Sequence, residues 1–446
     1  MSAFKAVWDG MTDDISATIR IGLDGFNLAL PQGTGVATYG RNLAAAITEL
    51  GYPVDLLFGV NIPRKVDDDL RESLFFGQLG ADPPHRLSMR RRMRRWRVHP
   101  FAHDMIEIPV TGRTVASDGG DRLPTFERLF NRAELYDVCA RHFRRYGKFM
   151  TVRMPNPPSI MHWTYPLPVR LAGARNIYTL HDLVPLRLPR ASLEDKRYYD
   201  RLVRACIAQA DHIVTVSEKS RADIIELMQA DPEKVTNCYQ ASDMPALRDL
   251  GALPNRLHQL FDLEMKGYFL FFGAIEPKKN LGRIIQAYLE ADIATPLVIV
   301  GAEAWHADRE LKLLGTAHGR KLPGVDRIHR IDYVPRTLLT DLIYGAKASL
   351  FPALYEGFGL PALEVLGAGI PLLSSTTGAL PEVVGDAALS VNPYDINAMV
   401  NAIRTLDIDA ALRTRLATQG PPQAANFSRT AFANRIGQLY QKIIKR

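Results

Sequence analysis

The sequence predicts an α/β protein built from two doubly wound parallel sheets, one in each half of the chain. Three observations predict it. The 446 residues exceed what one ordinary core accommodates, so two domains of about 200 residues each are expected. Short apolar runs alternate with helical stretches through the second half and much of the first, the rhythm of βα units. The run Ala348-Ser-Leu-Phe-Pro352 then passes through a glycine turn into a helix opening at Pro361, where proline loses no needed hydrogen bond.

In the first half, Ile19 to Asp24 reads as the opening strand. The loop Gly33-Thr-Gly-Val-Ala-Thr-Tyr39, a helix over Gly40 to Leu50 and a strand over Val54 to Val60 come next. Residues 61–150 fit no regular βα rhythm and read as an irregular, basic insertion with a Gly/Asp-rich loop at Ser117 to Asp121. Alternation resumes with strands at Ser159 to His162, Asn176 to Leu180 and His212 to Val216, and Ser217 then caps a helix. The second half is more regular. Strands are expected at Tyr268 to Phe272, Pro296 to Val300, Arg327 to Ile331, Ala348 to Phe351 and Ile370 to Ser374. Helices over Leu281 to Tyr288, Pro335 to Gly345 and Pro361 to Ala368 separate them. A boundary within Ser242 to Leu263 gives domains 1–245 and 246–428. A last helix, in residues 429–446, ends in basic residues.

Hydrophobic residues at 47% and charged residues at 23% describe a water-soluble globular protein. No run reaches the roughly 18–20 apolar residues of a spanning helix, and no signal peptide is visible. Cys139, Cys206 and Cys238 are far apart, without a C-x-x-C or a Cys/His pair at metal spacing, which points to a reducing cytoplasm and no structural zinc. The net charge of +7 is local: His85 to Arg97 holds seven arginines and no acid. Arg90, Arg91, Arg92, Arg94, Arg95 and Arg97, with Met93 and Trp96 between them and Met89 just before, read as a patch for an anionic membrane surface. A solvated face and a nucleic-acid surface are the alternatives, and nucleic acid is not the partner adopted.

Tyr355-Glu-Gly-Phe-Gly-Leu-Pro-Ala-Leu-Glu364 carries the chemistry. A strand, a glycine turn and a helix N-terminus together make an anion site, because unpaired N–H groups and the helix dipole converge there. Glu356 and Glu364 flank that site, and carboxylates in this position accept hydrogen bonds from hydroxyls. The ligand this predicts is polyhydroxylated and phosphorylated: a nucleotide sugar. Gly273-Ala-Ile-Glu-Pro-Lys-Lys-Asn280 also follows a strand and opens a helix, where Lys278 and Lys279 can neutralise a diphosphate. A solvated, lysine-rich helix start is the plain alternative.

The two glutamates around G-F-G-L-P-x-L resemble the donor-site motif of the large retaining glycosyltransferase family 4, and Gly273 to Asn280 resembles its G-x-x-x-P-[RK]-K-N segment. The resemblance covers about two thirds of the chain and leaves out residues 61–150. It implies the GT-B fold, two facing Rossmann-like domains with a cleft between them: an acceptor-side first domain, a donor-binding second domain, and a last helix crossing back. It assigns the ribose hydroxyls to Glu364, the transferred sugar to Glu356 and the diphosphate to Lys279. Backbone N–H groups of Phe358, Gly359 and Leu360, after Gly357, would face sugar and phosphate, and Gly301 would let the nucleotide approach. Ala274 departs from an arginine common in the family, so Lys278 or another base shares the load, or Lys279 acts alone.

Gly33-Thr-Gly35 resembles the family's N-terminal glycine loop, although turn geometry explains it equally well. His181-Asp-Leu-Val-Pro-Leu186 matches its H-D-L-x-P-L subtype, which places His181 and Asp182 at the cleft. A buried structural histidine is the alternative for His181, and His162 follows the same logic more weakly. No D-x-D pair ends a strand, so neither metal nor cofactor is expected, and the resemblance to the family implies front-face substitution with retention. The expectation is an enzyme that is cytoplasmic or peripheral on the inner membrane face. It would move a hexose, leaning to mannose from GDP-mannose, to a lipid-linked or polysaccharide acceptor. A UDP-sugar transferase, a soluble transferase acting on a small sugar phosphate, and a silent scaffold binding through its arginine patch remain open.

Overall fold

The computed structural model describes residues 19–28, 35–63, 66–79, 103–111, 123–191, 193, 195–242, 244–245, 247, 249–317 and 320–445. Gly33, the loop at Ser117 to Asp121 and the arginine run of Arg90 to Arg97 lie outside the described residues.

The first half forms an eight-stranded sheet in the order Val235–Asn237, His212–Thr215, Arg175–Thr179, Ile160–Trp163, Ile21–Asp24, Val54–Phe58, Arg128–Asn131, Ile106–Glu107. All neighbours are parallel except the last pair. Ile21–Asp24 and Val54–Phe58 are buried along their whole length, the mark of central parallel strands covered on both faces. Asp55, buried between them, takes the guanidinium of Arg20 at 2.7 Å and of Arg128 at 2.5 Å. Those pairs tie three adjacent strands together at one edge.

Residues 61–150 hold more order than the sequence reading gave them. Helix Asp68–Gln78, strand Arg128–Asn131 and helix Leu135–Tyr146 continue the βα alternation. The strand escaped notice because only Leu129 and Phe130 of its four residues are apolar. The helix Leu135–Tyr146 is strongly amphipathic: Leu135, Cys139 and Phe143 are buried, and Arg144 and Arg145 stand in its last turn.

The second half is a six-stranded, all-parallel sheet in the order Ile328–Ile331, Leu297–Val300, Phe269–Phe272, Ala348–Leu350, Leu372–Ser375, Leu389–Val391. The last helix, Arg429–Lys445, packs on Gly35–Glu49 of the first half, and its Tyr440 hydroxyl sits 2.8 Å from His162 Nδ1. The three cysteines are free and buried. Among the described residues, no helix is long and apolar enough to cross a membrane.

Asp24 ends the central strand and is wholly buried, accepting hydrogen bonds from the backbone N–H of Thr164 and, at 3.2 Å, of Phe26. Burial pushes its carboxyl up to about 6, against the opposing pull of those donors. Between the ordinary value of 3.8 and about 6, the native state therefore keeps a proton that the unfolded chain has released. The stabilisation is complete below the lower value and is lost as pH rises through the upper one, a change on the order of 3 kcal/mol. Asp24→Asn removes this term. Urea unfolding from pH 4 to 7 should show the variant gaining on the native protein by about that amount; a pH-independent difference would mean that Asp24 is ionised throughout.

Candidate active site

Each sheet has one place where successive strands are added to opposite sides of a founding strand, and ligands of such sheets bind outside the carboxyl ends there. In the second sheet that place lies between Phe269–Phe272 and Ala348–Leu350. The segment after the first strand carries Lys278 and Lys279 in a short turn of helix, Pro277–Lys279. The segment after the second carries Glu356.

The structure joins them. Lys279 Nζ lies 2.5 Å from Glu356 Oε1 and 4.9 Å from the centre of the Phe351 ring, with both charged side chains about nine-tenths covered. Lys278 pairs with Glu276 at 3.3 Å. Burial works against charge on both Lys278 and Glu356. For Lys278 the carboxylates of Glu356, Glu276 and Asp182 more than offset it, so its ammonium is held above the ordinary range. For Glu356 the two lysines do the same, and its carboxyl stays below its ordinary range. Lys278 therefore shares the electrostatic surroundings of Glu356 and Asp182 with Lys279.

The other residues the sequence singled out as donor-binding have these surroundings. Gly359 adopts φ 102°, a left-handed conformation suited to glycine, as the cap of helix Leu360–Gly367. Phe358 turns its side chain inward between Tyr239 and Phe427. Gly273 has φ 133° with open space beside it. Gly301 differs from the expectation: a Cβ there would stand 1.9 Å from the Gly273 carbonyl, so the contact that demands glycine is with the neighbouring loop.

The first domain closes the site from the other side. A Cβ on Gly357 would come within 2.7 Å of the Asp182 side chain, so the Glu356 turn and the His181-Asp182 loop touch across the domain boundary. Gly35 opens its helix beside Leu360, whose methyl would lie 3.8 Å from a Cβ there. Asp182 also accepts from Val184 N–H at 3.0 Å. His181 Nε2 is 2.9 Å from the carbonyl of Thr164, and a carbonyl can only accept, so that nitrogen carries the proton. Burial lowers the pKa of His181, against the opposing effects of the Thr164 carbonyl and Asp182. The ring is neutral below the usual range, and Nδ1 is its acceptor. His162 is different: with both ring nitrogens at 2.8 Å from Tyr440 and Thr179 hydroxyls and full burial, it is a core histidine. Ser217 caps its helix as expected, accepting from Ser220 N–H.

Three participants were missed by the sequence reading. Tyr355 donates to Asp223 of the first domain, which also takes Arg187 at 2.6 Å and Lys219 at 2.9 Å. Glu382 accepts the N–H groups of Glu218 and Lys219 at 2.9 Å, capping a first-domain helix from the second domain. Arg336 holds Glu364 through two bonds, of 3.0 and 2.6 Å. The partners lie 28 to 164 residues apart, so no local pattern announces them.

Comparison with known proteins agrees with this fold. Residues 257–422 match the family model for group 1 glycosyl transferases, and residues 34–237 match that for a glycosyl transferase 4-like domain. The chain is 33% identical to O-antigen chain mannosyltransferase B of Escherichia coli over 271 residues, 59% of this chain and 68% of that protein. It is 26% identical to the Escherichia coli serotype-specific mannosyltransferase WbdA over 287 residues, 60% of this chain but only 33% of that longer protein. Sucrose-phosphate synthase from Thermosynechococcus elongatus superposes with a TM-score of 0.64 at 19% identity, covering 96% of this chain and 99% of that one. The fold is thus the two-domain GT-B architecture, and the chain belongs to the group 1 glycosyltransferases.

Proposed function

We propose that this glycosyltransferase moves mannose from GDP-mannose to a lipid-linked or polysaccharide acceptor, with retention of configuration and without a metal. One observation carries the reading: the Lys279–Glu356 pair sits at the switch point of the donor-side sheet, directly across from His181-Asp182. The choice of mannose and of a polysaccharide acceptor is supported by two of the relatives, an O-antigen chain mannosyltransferase and a serotype-specific mannosyltransferase.

In this reading the donor's diphosphate lies against the N-terminus of helix Leu360–Gly367, where the N–H groups of Phe358, Gly359 and Leu360 are the donors. Lys279 has three N–H donors, so one can stay on Glu356 while others meet phosphate oxygens. As the glycosidic bond breaks, negative charge grows on the departing diphosphate, and Lys279 and Lys278 stabilise that growth. Glu356 and the neutral His181 accept or exchange hydrogen bonds with hexose hydroxyls. The departing phosphate oxygen takes the proton of the acceptor hydroxyl on the same face as the entering bond.

A thermal-shift panel of GDP-mannose, UDP-glucose, UDP-N-acetylglucosamine and the free nucleotides, with and without chelator, tests this. GDP-mannose and GDP should raise the melting temperature, unchanged by chelator. A shift with uridine nucleotides alone replaces the base, and no shift with any nucleotide removes the donor reading.

Membrane attachment is part of the proposal and rests on the sequence of the arginine run. Each basic residue near an anionic surface contributes on the order of 1 kcal/mol. Replacing Arg90, Arg91, Arg92, Arg94, Arg95 and Arg97 with serine should release the protein from phosphatidylserine vesicles in co-sedimentation and leave donor binding intact. Loss of donor binding would put the run in the active site instead.

A further inference from the structure

Arg336 has no role in the reading above, and its position is unfavourable. It is the first residue of helix Arg336–Gly345, where the dipole presents its positive end and the first turn contains no acidic residue. Its guanidinium reaches out of its own helix to Glu364, on the first turns of helix Leu360–Gly367. The two bonds are parallel, Nη1 to Oε2 at 3.0 Å and Nη2 to Oε1 at 2.6 Å. The carboxylate is largely covered, at 13% exposure, while the guanidinium is half exposed at 49%.

A fork of this kind does two things to a carboxylate. It fixes the plane of the group, because both oxygens are held by one rigid planar cation. It also occupies one acceptor position on each oxygen and leaves one free on each, since an ionised carboxylate has about four such positions. Two free acceptors held at the fixed separation of the two oxygens match a vicinal diol. A freely rotating glutamate would have to lose that rotational freedom on binding, whereas this one is set in advance.

We infer that Arg336 is a positioning residue for the nucleotide's ribose, acting through Glu364 and not by contact with the donor. The inference rests on the reading that Glu364 receives the ribose hydroxyls. Arg336 stays on Glu364 when the donor enters, and its exposed edge remains in solvent. Lysine in its place would keep the charge but not the fork, so the carboxylate would regain rotation about its terminal bond.

The test separates the two layers. GDP and its 2′,3′-dideoxy analogue are titrated calorimetrically into the full-length native chain, Arg336→Ala, Arg336→Lys and Glu364→Gln, with UDP and its dideoxy analogue in parallel. The native chain should prefer the ribose form by about tenfold or more, as expected for hydroxyls bonded to a charged acceptor. Arg336→Ala should reduce that preference to about twofold while binding the dideoxy form as the native chain does, and Arg336→Lys should fall between. A merely structural role would weaken both forms alike. A full preference retained in both Arg336 variants overturns the positioning role and leaves the ribose assignment standing, as does equal weakening of both forms. A native chain that does not distinguish ribose from dideoxyribose, or binds neither nucleotide pair, overturns the ribose assignment and the inference with it. Melting temperatures show that each variant is folded, and Arg336→Lys serves if the alanine form is not.

Discussion

Lys279→Ala should lower turnover by on the order of 10²-fold or more while leaving the fold intact. Among the described residues Lys279 is the one cation hydrogen-bonded to Glu356, and on the proposed reading it stabilises developing charge, a contribution whose removal typically costs about 3–4 kcal/mol in the barrier. Two effects add here. On the proposed reading the departing diphosphate loses one ammonium, and Glu356 is left buried with Lys278 as its remaining neighbouring cation. Breaking a buried pair from one side destabilises by up to about 3–5 kcal/mol, so a lowered melting temperature is also expected. The two consequences separate if turnover is measured well below the variant's melting temperature. Near-normal turnover there, from a folded variant, would take the diphosphate role away from Lys279.

Much of this arrangement was legible in the sequence, for a definite reason. The Glu356 turn and the Lys278-Lys279 segment each follow a short, fully buried strand, Ala348–Leu350 and Phe269–Phe272, and each opens a helix. In a doubly wound sheet, the carboxyl end of a strand is where ligands sit, so local sequence gives location as well as chemistry. The His181 loop follows Arg175–Thr179 by the same rule. His162 shows where the rule stops. It too lies at the end of a strand, Ile160–Trp163, but the returning C-terminal helix brings Tyr440 against it, 278 residues away in sequence. The link of Tyr355 to Asp223, 132 residues earlier, is invisible for the same reason. Arg336 could have been noticed, because a cation at the first position of a helix opposes the dipole and asks for a partner. Which carboxylate answers is a tertiary fact. The strand Arg128–Asn131 was lost through a different cause: four residues with two apolar side chains give too short a pattern, and its place depends on Asp55 of the neighbouring strand.

Glu356→Gln tests the other half of the central pair and separates charge from shape. Glutamine fills the same space and can still bond to a hexose hydroxyl, but it removes the carboxylate paired with Lys279 and one of the three that offset Lys278. The cleft then becomes more cationic, so a free nucleoside diphosphate should bind as tightly as before or up to about tenfold tighter. Turnover should fall on the order of 10²-fold, because on the proposed reading the carboxylate that orients both Lys279 and the transferred sugar is gone. The opposite movement of product affinity and turnover distinguishes this result from general damage, which lowers both. A cycle with Lys279→Ala closes the argument. Residues acting as a unit are strongly non-additive, so the double variant should be little slower than Lys279→Ala alone. If the two losses instead multiply, Glu356 acts on the sugar independently of Lys279, and the 2.5 Å contact between them is a resting pair that the donor breaks on arrival.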